Sequence, residues 1–462
     1  MNNTIDYSKN GLIIAPAGHG KTEDIVSQFE NNSFSKKVLI LTHTNIGVQE
    51  LENRLKKKGI NLKKFNVYTI ASFTLKYIKM FPSLSGFNKE KDLFDNDIYD
   101  QMSNLLSNIH IKEIVVNTYE QLFVDEYQDC SLSQHKMIKE LCNILNYKIY
   151  GDPLQSIYDF NDIPVNFDEI TINDFELIGK LDYPWRWDNK NKKLGEWILK
   201  IRKEIENNNA INLYTIQDTV KFIKTSNINK SLIALGLQYL RNNIPNVILT
   251  KLPYQTKNYV KRFAGKYQMQ EEVECNDLKK FAELLNETKK VEVLIELFNI
   301  LKSSYTGLNK YDNIINKVKV HNYNFNKLKN NKELGNIIIE YLDNEQLEVE
   351  KIIRIIKLIE NSDGINLCRQ DLISIMKRML NNIKVNQNRN PIDILSDITS
   401  NRRQKKFNYL ISRVLLVKGM QFENVIIIEP ENMTKKEFYV AISRATNSLT
   451  IISKNNILKF NN

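Results

Sequence analysis

Two short stretches of this 462-residue sequence carry residue types that can move a phosphoryl group. The first is Ala15, Pro16, Ala17, Gly18, His19, Gly20, Lys21 and Thr22, placed directly after the apolar run GLIIA and at the start of a helical pattern. A turn of that kind cradles phosphate. Its backbone N–H groups and the helix N-terminus face the anion, Lys21 reaches the outer phosphates, and the Thr22 hydroxyl is available to Mg²⁺. Ala15 stands where the usual pattern begins with Gly, but Gly18 and Gly20 still let backbone approach a phosphate closely. The second stretch is LFVDEYQD, where an apolar run ends in Asp125 and Glu126. Asp125 suits the Mg²⁺ shell, and Glu126 suits orienting or deprotonating an attacking water. Taken alone, such an acid pair reads equally well as a solvated turn. With a phosphate loop upstream in the same alternating pattern, the two stretches together predict a site for ATP and Mg²⁺.

The elements that must position these residues follow from the hydrophobic pattern. From Gly11 to Leu181 the short apolar runs GLIIA, KVLILTH, NVYT, QLFVDE, YKIYGD and FELIGKL alternate with helical sequence. Strands buried on both faces in this way predict an α/β fold with a parallel sheet. Val48, Leu51 and Leu55 predict an amphipathic helix over 44–58 that packs on it. Between Lys79 and Asn117 the sequence turns polar and helix-like, which reads as a small insertion. A second alternating pattern, TVKFIKT, SLIALGLQYL and NVILTK, begins after Trp187 and stops near Gly265. It resumes at Arg413 with RVLLVKG, NVIIIEP and SLTIIS, each expected as a strand. The stretch from about 266 to 402 is helical in period, and Leu347, Val349, Ile352, Ile353, Ile356 and Ile359 predict one long amphipathic helix within it.

The length agrees with about three domains. With 42% hydrophobic residues, 15 Gly and 9 Pro, the composition excludes a disordered or fibrous chain. Lys and Arg number 65 against 54 Asp and Glu, a net charge of +11. That surplus fits an anionic partner, nucleic acid first, and fits equally a coding bias that enriches Lys, Asn and Ile. Cys130, Cys142, Cys275 and Cys368 have no CxxC spacing, so no zinc ribbon or local iron–sulfur loop is encoded, and reduced thiols fit best. No signal pattern opens the chain, and no apolar run reaches the ~20 residues of a membrane span. The expectation is a soluble, cytoplasmic protein without a membrane partner.

APAGHGKT, LTHTNIGVQEL, LFVDEYQDCS, GDPLQSIYDF, YPWRW, VKGMQFENVIII and EFYVAISRATNSLTI occur in the order found in superfamily 1 helicases of the UvrD/Rep type, and the chain resembles that family over nearly its whole length. The resemblance implies two RecA-like P-loop domains with parallel sheets, each carrying an inserted, mainly helical subdomain. Domain 1A would comprise 1–78 and 118–185, with insertion 1B at 79–117; domain 2A would comprise 186–265 and 403–462, with insertion 2B at 266–402. It also implies that Gln155 senses the γ-phosphate, that Arg186 and Arg444 reach the nucleotide from the second domain, and that Trp185 stacks on the base where the family has Tyr. For single-stranded DNA it points to Thr44, Asn45, the Thr69 to Phe73 segment with Ser72, and the aromatics Tyr158 and Phe160. Aromatics beside backbone-binding polar groups suit single strands without sequence preference.

Several positions depart from the family. The N-terminus lacks the Gln-containing stretch that reads adenine, His43 replaces an aromatic, and Gln421 stands where a Glu meets the nucleotide. RVLLV replaces the polar DNA-facing pair before Lys418. The resemblance implies a DNA-dependent ATPase that translocates 3′ to 5′ on single-stranded or tailed DNA. The rival expectation is an ATP-gated, DNA-end-sensing subunit that licenses a partner nuclease. Compact UvrD-like proteins of anti-phage systems such as the Gabija type, paired with an overcoming-lysogenization-defect (OLD-type) nuclease, are similar in size and layout. No nuclease signature follows the last motif, so cutting is expected of another chain.

Overall fold

The computed structural model describes residues 5–87, 97–157, 165–167, 172–215, 220–271, 275–325, 331–344, 348–386, 389–400 and 407–460. The first alternating pattern forms six strands, β1 (Gly11–Ile14), β2 (Lys37–Thr42), β3 (Phe65–Thr69), β4 (Tyr119–Val124), β5 (Asn146–Gly151) and β6 (Leu177–Lys180). They assemble in the order β3-β2-β4-β5-β1-β6, and every pairing is parallel. Successive side chains point to opposite faces, and each face has its own core. Leu39, Leu41, Leu122 and Val124 pack with Phe73, Met102 and Ile138 on one side. Val38, Ile40, Phe123 and Tyr150 pack with Ile25, Leu51 and Leu55 on the other. The helices Asp97–Ser107 and Ile109–Thr118 send Met102, Leu106, Ile111 and Val115 into the first of these cores.

β7 (Ile211–Asn212) pairs antiparallel with β16 (Ile457–Leu458) in a two-residue ribbon. The second sheet holds β8 (Val220–Lys224), β9 (Asn246–Thr250) and β10 (Gln268–Met269). It is completed by β13 (Tyr409–Arg413), β14 (Phe422–Ile428) and β15 (Ala445–Ser453). Its order is β10-β13-β9-β14-β15-β8, again parallel throughout. Between β10 and β13 lies a helical body whose core includes Phe281, Leu297, Ile338, Ile356, Met376 and Leu395; a second small ribbon, β11 (Tyr305–Thr306) with β12 (Asn366–Leu367), sits within it. Two parallel α/β sheets bear out the fold class read from the sequence.

Two local expectations need correction. RVLLVKG does not form a strand: β13 ends at Arg413, and Val414–Val417 is a 3₁₀ turn. Val414 and Val417, three apart, are its buried pair, which is the periodicity of such a turn. The long amphipathic helix is the 12-residue helix Val349–Glu360, with Ile352, Ile356 and Ile359 buried; Leu347 lies outside the described residues. No described helix is long and apolar enough to cross a membrane. The four cysteines are buried and none is in a disulfide, and no cluster of metal-ligating side chains occurs among the described residues.

Candidate active site

β1 ends at Ile14, and the loop that follows enters the helix Lys21–Asn31 through Gly20, whose φ of 83° is left-handed. Gly18 is left-handed too, at 76°. A Cβ on Gly20 would sit 2.8 Å from Trp185 Cδ1, and one on Gly18 would sit 2.8 Å from the Trp187 ring. Both positions therefore require glycine for conformation and for space. The loop is pinned from several sides. The Ala15 N–H donates to Gly151 O at 2.9 Å, and the Ala17 N–H is shared between Asp152 Oδ2 and the Tyr439 hydroxyl, each at 3.2 Å. His19 Nδ1 lies 2.9 Å from the Ala17 carbonyl, and burial lowers the imidazole to about 4, leaving it neutral near pH 7.

The acids arrive at the end of β4, where Glu126 adopts a left-handed φ of 56°, an uncommon conformation for a residue with a Cβ. Lys21 Nζ lies 2.6 Å from Glu126 and 3.4 Å from Asp125. Burial pushes the Asp125 carboxyl up. Glu126 is buried too, but the cations of Lys21 and Lys418 hold it well below the usual carboxylate range. The resting charge is thus on Glu126, the residue placed to accept a proton. Gln128 Nε2 donates to Glu126 Oε2 while its Oε1 accepts from the Asp152 N–H, so this turn and the one after β5 are tied together.

The opposite wall comes from beyond β6. Arg186 Nη1 donates to Ser443 O at 2.6 Å, and Arg444 Nη2 donates to Gln155 Oε1 at 3.2 Å. Burial, with Arg444 close by, lowers Arg186 to about 9 against the pull of Tyr439, Glu50 and Glu126. Lys418, in the loop between β13 and β14, places Nζ 2.5 Å from both Asp129 carboxylate oxygens and 2.5 Å from the Gln155 carbonyl. Trp185 stands at the rim, 62% exposed, edge-on to Tyr183 with ring centroids 4.4 Å apart.

These groups enclose a cleft of about 390 Å³ lined from both sheets, within the ~300–1,000 Å³ common for small-ligand sites. On the cleft wall the buried Arg186 Nε has no hydrogen-bond partner among the described residues. An orphaned guanidinium donor, together with Lys21 and a glycine-rich helix N-terminus, is the chemistry that a polyphosphate satisfies, so the residues present fit ATP. Thr22 and Asp125, both on the cleft wall, fit a divalent ion between them and the phosphates.

The cleft brings together Pro16, Ala17, Gly18, Gly20, Lys21, Thr22, Asp125, Glu126, Gln155, Trp185, Arg186 and Arg444. Ala15 and His19 are buried in the loop behind it. Thr44 lines the same cleft, and its Oγ1 accepts from the Gly47 N–H as the cap of the helix Asn45–Lys57, with Asn45 exposed in the first turn. Thr69 caps the helix Ile70–Met80 by accepting from the Ser72 N–H, away from the cleft. Tyr158 and Phe160 lie outside the described residues. Reading the sequence did not single out Asp129, Lys418, Arg202 or the Glu50–Arg54 pair. Arg202, 2.8 Å from Asp152 and from the Tyr439 hydroxyl, clamps the base of the phosphate loop to the second sheet. Glu50 and Arg54 sit four apart on the helix that walls the cleft, a spacing visible in the sequence.

A family model described as an AAA domain matches residues 3–161, the stretch that holds the phosphate loop and both acids. The Gabija protein GajB of Bacillus cereus (strain VD045) is 24% identical over 96% of this chain and 93% of its own length. The RecBCD enzyme subunit RecB of Buchnera aphidicola subsp. Acyrthosiphon pisum (strain APS) is 29% identical over 33% of this chain, and that match spans 14% of RecB. These likenesses make the chain similar to UvrD-like helicases. Likeness to helicases supports an ATPase, and the candidate nucleotide site is the cleft where the C-terminal ends of β1, β4 and β5 meet the second sheet, as ligand sites of parallel sheets commonly are. The crystal structure of Pif1 helicase from Candida albicans superimposes over 97% of this chain and 92% of its own, at 10% identity and a TM-score of 0.40.

Proposed function

We propose that the protein couples ATP hydrolysis in this cleft to 3′-to-5′ movement along single-stranded DNA. The observation that carries the reading is convergence: Lys21, Asp125 and Glu126 from the first sheet face Arg186 and Arg444 across one cleft. In this reading Lys21 neutralises the outer phosphates, and Glu126, kept ionised by Lys21 and Lys418, takes the proton of the attacking water. Arg186 and Arg444 stabilise the charge that develops on the transferring phosphoryl group, a role worth about 10³–10⁵ in rate for such arginines. A Mg²⁺ ion held by Thr22 and Asp125 supplies charge neutralisation at the phosphates. The sheet-centred units 1–78 with 118–185 and 186–265 with 403–462 act as jaws, and opening and closing of the cleft alternates the grip on the strand. Thr44, Asn45, Thr69 and Ser72 contact DNA in this reading, and Tyr158 and Phe160, outside the described residues, are assigned to it on the resemblance alone.

A second reading is favoured by the match to GajB over almost both full lengths. There the chain is an ATP-gated sensor of DNA ends in an antiviral system, and a partner nuclease of OLD type cuts. The replacement of the DNA-facing pair by a buried 3₁₀ turn at Val414–Val417 supports it, because that segment offers apolar packing where a motor would present polar groups. One experiment separates the two: ATP hydrolysis with and without single-stranded DNA, beside unwinding of 3′-tailed and 5′-tailed duplexes. A motor unwinds a short 3′-tailed duplex unaided, even where it fails on long ones; a sensor is stimulated by DNA yet leaves both duplexes intact. Hydrolysis indifferent to DNA refutes both.

A further inference from the structure

Lys418 is unusual among the cleft residues because it grips the first sheet's machinery from the second sheet without being one of the arginines. It follows the 3₁₀ turn Val414–Val417 and precedes Gly419, whose left-handed φ of 82° reverses the chain toward β14. Its side chain and that of Asp129 are only 4% and 2% exposed. Its Nζ is bound by three oxygens, two from Asp129 and one from the Gln155 backbone. Those two residues belong to different segments. Asp129 ends the short turn that begins at Glu126, and Gln155 ends the turn after β5 whose side chain meets Arg444. A single ammonium therefore ties the water-activating turn and the Gln155 turn to each other and to the opposite jaw. Separating the jaws would strip three oxygens from a buried cation and leave Asp129 as an unpaired buried carboxylate, so the contact favours one discrete closed arrangement.

We infer that Lys418 is a positioning residue that makes hydrolysis conditional on cleft closure, by holding the Glu126 and Gln155 turns in register only while the jaws meet. The inference rests on hydrolysis taking place in this cleft. It acts on the chemical step and not on nucleotide capture, because the three oxygens that Lys418 binds belong to Asp129 and Gln155, none of them to Lys21 or to the phosphate-loop backbone.

The test compares the full chain with Lys418→Met, Asp129→Asn and the double variant, in DNA-stimulated ATP hydrolysis and in binding of a fluorescent ATP analogue. Each single change should lower kcat by about tenfold or more while KM and analogue binding stay within about threefold, the pattern of an interaction made only in the transition state. The double variant should fall no further than the weaker single one, since both changes break one contact. Wild-type kcat in Lys418→Met, losses that multiply in the double variant, or a parallel loss of analogue binding would overturn the latch. If Lys418→Met lacks a cooperative melting transition, the isosteric Asp129→Asn decides by the same kcat and KM criteria. Lys21→Ala separates the two layers of the argument. Hydrolysis that survives it refutes the cleft as the site, whereas Lys21-dependent hydrolysis indifferent to Lys418→Met and Asp129→Asn refutes the latch alone.

Discussion

Lys21→Ala should abolish ATP hydrolysis while leaving DNA binding largely intact, because its ammonium lies among Asp125, Glu126 and the phosphate loop and faces no other ligand surface. Glu126→Gln should trap ATP with little turnover, since the Asp125 carboxylate, proposed to hold Mg²⁺, survives the loss of the base. Failure of that variant to bind ATP would show that Glu126 is needed for the shape of the turn. The acids also set a pH dependence. Burial raises Asp129 to about 6 despite Lys418, whereas Glu126 is held far lower by Lys21 and Lys418. Hydrolysis should therefore be full above about pH 6 and fall as Asp129 protonates and releases Lys418; a kcat profile with its acid limb below pH 5 would contradict this. For stability the same group has the opposite sign. Its folded value lies above the ordinary 3.8, so the folded state holds the extra proton between about pH 4 and 6, and the contribution of Asp129 to stability shrinks as pH rises through that window. The phosphate loop and the Asp-Glu pair were legible in the sequence because their chemistry is contiguous. The Lys418–Asp129 contact was not, because its partners are 289 residues apart and neither neighbourhood encodes the other.

At the scale of elements, the helix Leu132–Cys142 starts immediately after the acidic turn and is fixed by a reciprocal cap, Ser131 with Gln134. Ser131→Ala should cost about 1 kcal/mol, visible as a lower denaturant midpoint with unchanged slope. In the helical body, Phe281 is fully buried, and Phe281→Ala should cost about 3–5 kcal/mol. Strands were readable wherever both faces of the sheet are covered, since Val38 to Leu41 and Val425 to Ile428 are then apolar at every position. RVLLV misled for the same reason: four apolar residues look like a buried strand, yet with the parallel register exhausted at Arg413 the chain coils and buries every third one. The helices of 97–118 read as polar because one face of each is wet, although the other completes a core of the first sheet.

For the whole molecule, the +11 charge has a measurable consequence. Binding to single strands should weaken with salt, with a slope of about −0.7Z in log K against log salt for Z phosphates contacted. A flat dependence would assign the surplus of Lys to coding bias. The isolated chain should hydrolyse ATP when DNA is present yet unwind long duplexes poorly, because the cleft groups are all in place while the turn at Val414–Val417 presents apolar packing; processive unwinding at physiological salt would refute this. The junction between the second sheet and the helical body is held by Arg369, buried against Glu271 at 2.5 Å and reaching Asp277 at 2.6 Å. Arg369→Ala should cost about 3–5 kcal/mol by leaving Glu271 buried and unpaired, and limited proteolysis should then cut preferentially within 270–408.

The route of the chain through that junction has a consequence of another kind. β10 and β13 are parallel neighbours at one edge of the second sheet, so everything from 270 to 408 is topologically a single crossover connection between adjacent strands. A crossover needs only to return the chain to the start of the next strand, and a dozen or so residues suffice for that. Besides the two ends of the connection, the segment 367–370 joins the helical body to this edge of the sheet, and the body's remaining residues pack into a core of their own. Natural variation and deliberate exchange can therefore enlarge or shrink that body as a cassette, provided its contacts through 367–370 are kept, while the cleft between the two sheets stays as it is.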